Sequence, residues 1–375
     1  MTKKWVNIAD VLFFQEGPGV RNTQYTTSGV KLLNVANLVD GKVDLSKSDR
    51  YISEEEAYGK YRHFLCDDGD FVIASSGIKV EYIDKKMGFV DASMLPLCMN
   101  TSTIRFKVLD ENQLRIRYFM YYLKSKHFKE QLTKQITGSA QLNYGPSHLK
   151  KMIMPLIDIT VQDEIISCMD KLQSIIETRQ RELIELDRLM KARFVELFGD
   201  PRSNPFGFEK KRLKDTCKVI TGNTPSRAIA EYYGDYIEWI KTDNIVSGIL
   251  NPTQATESLS EKGMNVGRTV EKDSILMACI AGSIASIGRV CITDRTVAFN
   301  QQINAVVPEQ YNILFLYVLF QMSKDYLVED INMALKGILS KSKLEEKEFI
   351  IPPMDLQEQF SDFVKQVNKS KFGAM

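Results

Sequence analysis

Chemistry in this 375-residue chain could be placed at six cysteines, three histidines and a few glycine-containing turns. Cys66, Cys98, Cys168, Cys217, Cys279 and Cys291 lie far apart with no CxxC pair. They suggest neither a metal ribbon nor a disulfide framework, and read as reduced, mostly buried thiols. His63, His127 and His148 are scattered, with neither a metal-ligand spacing nor a convincing nucleophile beside them. Gly17-Pro18-Gly19 and Gly282-Ser283 do not make a phosphate loop, and there is no GK[ST]. Methyl transfer to a base amine would need Asn or Asp before Pro-Pro and an aromatic, plus a Gly-rich cradle for the donor. Asn204-Pro205-Phe206 has one proline, and Phe198-Gly199-Asp200 lacks the second glycine. Asp67-Asp68 reads as a solvated turn. We expect no catalytic residue and no bound metal, although a carboxylate–lysine cluster assembled from distant segments stays open.

The elements that position the remaining polar residues come in two copies. Lys31 to Leu38 parallels Glu238 to Ile245, each an apolar strand running into an Asn and then a Gly turn at Gly41 or Gly248. Gly69 to Ala74 parallels Asp273 to Ala278. Two aromatic-rich helical segments follow, with Phe119, Tyr122, Lys126 and Phe128 in step with Tyr317, Phe320, Lys324 and Tyr326. Met154-Pro155-Leu156 through Gln162 then matches Ile351-Pro352-Pro353 through Gln357. Four matches in one order, at an offset of about 200 residues, indicate a duplication.

Between the copies, Val161 to Phe198 contains no Pro or Gly. Ile165, Met169, Leu172, Ile176, Arg179, Leu183, Leu186, Met190, Arg193 and Leu197 follow alternating spacings of four and three, the seam of a coiled coil. A helix of that span is about 57 Å long, and Gly199-Asp200-Pro201 stops it. A long core helix within one domain is the alternative. Leu356, Phe360, Phe363 and Val367 repeat the spacing in a shorter helix at the end of the sequence. The expected architecture is α+β. Two globular domains (1–157 and 201–353) alternate with a long coiled-coil helix (158–200) and a short helix (354–375).

This order resembles the specificity subunit of a Type I restriction–modification system, in which two target-recognition domains alternate with two helical conserved regions. Glu196 to Pro201 resembles the family's central junction. Thr221 to Ser226 followed by Tyr236 to Asp243 resembles the opening of a recognition domain. Ser286 to Arg289, Asn300-Gln301-Gln302, and Ile350 to Pro353 leading to Gln357-Glu358-Gln359 also match. The counterparts in the first domain, Gln15 to Gly19 and Ser28-Gly29-Val30, are looser, and the second helical region is shorter than the family's.

The resemblance implies a non-catalytic DNA-binding subunit that recognises a split double-stranded target. It would direct adenine N6-methylation and restriction by partners: two methyltransferase subunits and restriction/motor subunits. S-adenosylmethionine would sit in the methyltransferase, with no cofactor on this chain. Bases would be read by polar side chains on loops, with other Lys and Arg meeting phosphates. In the first domain the candidates are Arg21, Asn22, Gln24, Tyr25, Ser75, Ser76, Lys79, Ser139, Gln141 and Asn143. In the second they are Thr221, Asn223, Thr224, Ser226, Arg227, Ser283, Lys336, Ser340, Lys341 and Lys343. Trp239 reads as core and Asn300-Gln301 as a buried amide ordering a loop. Arg115 to Lys134 could track phosphates, but its aromatics fit a core helix. Arg179 and Arg193 either set helix register and meet an acidic partner, or lay their stems along the seam.

Composition neither adds to this nor opposes it. Lys and Arg number 49 against 48 Asp and Glu, so net charge gives no footprint for nucleic acid. Hydrophobic residues at 44% and charged residues at 26% fit a globular chain. The longest apolar run, Ile313 to Phe320, falls short of the roughly 20 residues needed to span a bilayer. The apolar stretch behind Lys3 and Lys4 is too short for a signal peptide, so a cytoplasmic location is expected. Two other readings stand beside the main one: a protein–protein scaffold without a DNA role, and a specificity subunit that pairs with a second copy through its short final helix.

Overall fold

The computed structural model describes residues 4–135, 143–331 and 337–374. It divides into two compact units, 1–175 and 176–375. The division falls inside the long helix Ile159–Phe198, so that helix belongs by its two ends to different units rather than forming a domain of its own.

In the first unit, strands Leu12–Glu16, Phe71–Ala74, Met87–Phe89 and Thr103–Val108 form a four-stranded sheet. Thr103–Val108 runs antiparallel to both Leu12–Glu16 and Phe71–Ala74. Phe71–Ala74 is buried throughout, as its uninterrupted apolar sequence requires. A second sheet pairs Val30–Leu33 in parallel with Leu97–Met99. Helix Ile116–Leu123 closes the core with Phe119 against Phe106 and Phe71.

The second unit repeats this plan. Cys217–Thr221, Ile303–Pro308, Ile275–Ala278 and Val290–Ile292 form a four-stranded sheet in the equivalent order, and Ile237–Ile240 pairs in parallel with Val297–Phe299. Helix Ile313–Met322 occupies the place of Ile116–Leu123. The duplication therefore extends to strand order and direction.

Two local corrections to the expected alignment follow. Pro155 lies within strand Ile153–Leu156, opposite Trp5, whereas Pro352 follows strand Glu348–Ile351; the structural counterpart of Leu156 is Ile351. Pro155 is tolerated because its strand belongs to a two-stranded edge ribbon, where a missing N–H is harmless. The first aromatic helix of each copy also aligns one residue away from the sequence match, since Ile116 and Ile313 each begin it, whereas the next helices begin at Lys126 and Lys324, in step with the match.

Each unit ties the helix after its last strand to the start of another helix with one buried glutamine. Gln162 accepts from Arg115 N–H (2.9 Å) and donates to the carbonyls of Gln113 and Ile157, both at 2.8 Å. Gln357 accepts from Asn312 N–H (2.9 Å) and donates to the Pro352 carbonyl at 2.8 Å. Both side chains satisfy backbone groups at the start of a helix.

The long helix has 40 residues and the closing helix, Met354–Ala374, has 21. Gly199 ends the long helix in the left-handed conformation (φ 70°), where a Cβ would meet the Pro205 ring. The expected seam is only partly paired. In the second unit Met190, Phe194 and Phe198 are fully buried against Phe315, Phe360, Val364 and Val367. Phe194 and Phe198 each lie 5.5 Å from Phe360. This stripe advances in steps of four, so Arg193 and Leu197 stand at its margin, half-buried. Phe363 is likewise marginal, and Val364 takes the inner position. Met169, Leu172 and Ile176 are exposed, Leu183 and Leu186 half-buried, and Ile165 packs at the edge of the first core. Arg179 pairs with Glu182 and Arg193 with Glu196, each one turn along the same helix.

Among the described residues no helix is long and apolar enough to cross a membrane. Five cysteines are buried and Cys168 is exposed. Burial pushes the Cys66, Cys98, Cys217, Cys279 and Cys291 thiols up to about 12.

Candidate nucleic-acid interface

Strand direction decides which loops meet. Because the central strand of each sheet is antiparallel to both neighbours, its entry loop and the exit loops of those neighbours share one end of the sheet. In the first unit this joins the loops after Glu16 and Ala74 to the turn Asn100-Thr101-Ser102. Ser75 N–H donates to the Ser102 carbonyl (2.8 Å), and the Ser76 hydroxyl meets that of Ser102 at 2.6 Å. Asn143 bridges to Ser76. In the second unit the loops after Thr221 and Ala278 meet Asn300-Gln301-Gln302. Cys279 N–H donates to the Gln302 carbonyl (2.8 Å), and Ile280 bridges to Ile338.

A glycine makes each junction fit. A Cβ on Gly17 would sit 2.1 Å from the Asn100 carbonyl oxygen, and one on Gly222 would sit 2.2 Å from that of Asn300. No side chain can occupy either position without moving the backbone.

Several of the candidate residues are committed to internal bonds. Gln24 donates to Glu56 (2.6 Å) and Tyr61 (3.0 Å). Ser75 is buried and donates to Glu16 (3.2 Å). The Tyr25 hydroxyl accepts from Asn100 Nδ2 (3.4 Å), with Arg50 over its ring. Thr221 donates to Asn304 (2.7 Å). Asn223 donates to the Val266 carbonyl and accepts from Arg268 N–H, tying its loop to the next segment. Thr224 donates to Gln301. Arg21, Asn22, Lys79, Asn143 and Ser226 are exposed on or next to the converging loops, and Ser283 is paired there with Ser286 (3.0 Å).

Arg227 is exposed yet fixed. Its guanidinium lies 4.3 Å from the Tyr233 ring centre and 5.1 Å from that of Trp239, and it pairs with Glu257 at 2.6 Å. Lys241 meets the same carboxylate. Hydrogen bonds from Lys241 first and Arg227 second hold Glu257 below its usual value of 4.5. Trp239 is core, as its sequence context suggested.

Lys341 and Lys343 are not brought to this edge. Ser340 caps a new helix, Lys341–Glu346, by accepting from Lys343 N–H, and the chain turns away. Lys343 bonds the Asp330 carbonyl and Glu346 meets Arg212 and Lys214, near the opposite end of strand Cys217–Thr221. Ser139, Gln141 and Lys336 lie outside the described residues.

Sequence reasoning assigned the turn Asn300-Gln301 to structure alone. That holds for Asn300, which is buried, accepts from Gln302 N–H (3.0 Å) and donates to the Gln302 side chain (3.1 Å). Gln301 differs from it in being exposed at that turn, where it accepts from the Thr224 hydroxyl of the neighbouring loop. The signal available was position: a polar residue between a buried Asn and the central strand, in both copies. Among the described residues no group of three His, Cys, Asp or Glu side chains could hold a metal ion.

Two matching sheet ends, each carrying polar loops on the same strand frame, define a duplicated α+β protein. The family model described as the Type I restriction modification DNA specificity domain matches the chain twice, over residues 18–188 and 205–373. The chain belongs to that family. It is 33% identical over 146 residues to the Type I restriction enzyme HindI specificity subunit of Haemophilus influenzae, covering 37% of this chain and 31% of that subunit. It is 24% identical over 302 residues to the MjaIX specificity subunit of Methanocaldococcus jannaschii, covering 74% and 68%. The first match thus spans about a third of that relative's own length.

In fold, the chain is similar to the Type I restriction-modification S subunit from M. genitalium, with a TM-score of 0.57, 15% identity, and 100% and 91% of the two chains covered. A chain from a structure of type I R-M complex assembly gives 0.54 and 15%, covering 99% and 92%.

Proposed function

We propose that this chain recognises a two-part DNA target, each unit presenting its loop edge to one half, and directs adenine N6-methylation and restriction by partner subunits. The observation that carries this reading is the duplicated edge, one frame carrying two different sets of exposed polar side chains. Equal frames with unequal chemistry suit a reader of two unlike half-sites. Arg21, Asn22, Lys79, Asn143, Thr224, Ser226, Arg227 and Ser283 are the predicted candidates that remain accessible on or next to these edges. The two units share one continuous helix of 40 residues in place of a loop linker.

Chemistry is assigned to the partners. Methyltransferase subunits, two by the family's plan, would carry S-adenosylmethionine, and restriction/motor subunits would cut. The apolar residues Met169, Leu172 and Ile176, exposed on the long helix, favour docking of another helical surface there. Pairing with a second copy is the competing use of that face, and light scattering of the isolated chain at micromolar concentration separates the two: a dimer supports pairing, a monomer supports partner docking.

The test of DNA recognition is selection from a random duplex pool by the chain co-purified with its methyltransferase. Recovery of a split motif, with affinity falling steeply between 50 and 200 mM salt, is expected for a complex with several phosphate contacts. Retention without sequence preference, or no retention, would favour a protein–protein scaffold.

A further inference from the structure

We infer that Gln301 reads a base edge in the half of the target met by the second unit, and that Thr224 is the positioning residue for its amide. This rests on the proposed DNA reading and names a residue that would carry it.

Position is the first argument. Gln301 sits where all three loops of the edge converge. Asn300 before it is buried, Gly222 presses on the Asn300 carbonyl, and the Gln302 carbonyl after it accepts from both Cys279 N–H (2.8 Å) and Ile280 N–H (3.2 Å). Its backbone is therefore held on both sides by groups that do not move independently of the sheet. The side chain itself is exposed and contributes nothing to the core. Its place on a fixed backbone at the polar edge leaves the rest of its amide open to a ligand.

Orientation is the second argument. The Thr224 hydroxyl donates to Gln301 Oε1, so the amide has a preferred direction before any ligand arrives. Nε2 keeps two donors, and Oε1 keeps a second lone pair. An amide with one donor and one acceptor available side by side matches adenine, whose N7 accepts and whose N6 donates in the major groove. Preorientation lowers the ordering cost of such a contact.

The first unit supplies an internal comparison. Asn100, also buried, occupies the place of Asn300, and Ser75 N–H bonds the Ser102 carbonyl as Cys279 bonds Gln302. Thr101 stands where Gln301 stands and is likewise exposed. A threonine has a shorter reach and a methyl group, so the two units would demand different bases at equivalent steps.

The experiment is a map of N6-methyladenine in cells making the full chain with its methyltransferase. It compares the native sequence with Gln301→Ala, Gln301→Glu, Thr224→Val, Thr224→Ser and Thr101→Ala. Gln301→Ala should make one position in one half-site degenerate, leaving the other half and the spacer unchanged. Gln301→Glu should lower methylation of the native sites roughly tenfold or more, since a carboxylate offers no donor to a purine N7. Thr224→Val should weaken discrimination at that same position, and Thr224→Ser should restore it. Thr101→Ala should loosen the opposite half only. An unchanged motif and methylation level in both Gln301 variants would overturn the inference while leaving the DNA reading intact. Absence of any split motif with the native chain would overturn both.

Discussion

The two ends of the long helix meet equivalent domains in different ways. At its start, Gln162 locks the helix to the first unit, but Met169 and Leu172 beyond it are exposed. At its end, Met190, Phe194 and Phe198 are buried under the closing helix, whose own Gln357, Phe360, Val364 and Val367 occupy the places held by Gln162, Ile165, Met169 and Leu172 in the first unit. The same face of the same repeated element is thus covered in one unit and bare in the other. Heptad spacing marks a stripe that can be buried; a neighbouring helix decides whether it is.

The largest effect that would break this comparison is on stability. Phe194→Ala removes a ring with no exposed surface from contact with Phe198, Phe315 and Phe360, and should destabilise the second unit by about 3–5 kcal/mol. Leu172→Ala should change the stability of the isolated chain by no more than about 0.5 kcal/mol. Denaturant titration followed by hydrogen exchange in each unit measures both. Equal losses would mean that the bare face is covered after all.

A smaller effect sharpens the comparison where the units agree. Gln162→Ala and Gln357→Ala each leave partly or fully buried backbone groups unpaired, and each should lower the stability of its own unit by about 1–3 kcal/mol. Exchange protection lost in the same unit as the substitution is the expected result. A loss from one substitution alone would show that the glutamine lock is not shared.

The smallest effect depends on pH. Glu257 has a lowered carboxyl value in the folded second unit, so its ion pairs contribute fully above about pH 4.5 and are lost as pH falls through the folded value. Glu257→Gln should flatten the acid side of the second unit's stability below about pH 4.5, leaving the first unit's profile unchanged. The group is on the surface, so the change is modest. A parallel shift in both units would place its influence beyond the loop that it anchors.

Much of the frame was legible in the residues. The strand patterns, the Asn–Gly turns, the Pro- and Gly-free span and its stop at Gly199 reflect local rules, and the structure follows them within a residue or two. The candidate edge was legible as a set of loops because polar turns follow apolar strands. What each side chain does there was not. Gln24 and Asn223 look like free amides in sequence, but their partners Glu56 and Val266 are distant in the chain. Lys341 and Lys343 look like phosphate binders until Ser340 starts a helix that carries them off. Gln301 was passed over because its neighbour Asn300 is structural, and sequence does not separate adjacent amides of opposite fate.

The account stands most directly on one measurement, the map of N6-methyladenine in a host that makes the native chain together with its methyltransferase. A split motif with a fixed spacer, lost when this chain is omitted, is the predicted result. A continuous motif, or methylation that persists unchanged without the chain, would contradict the claim that the two units read two halves of one target.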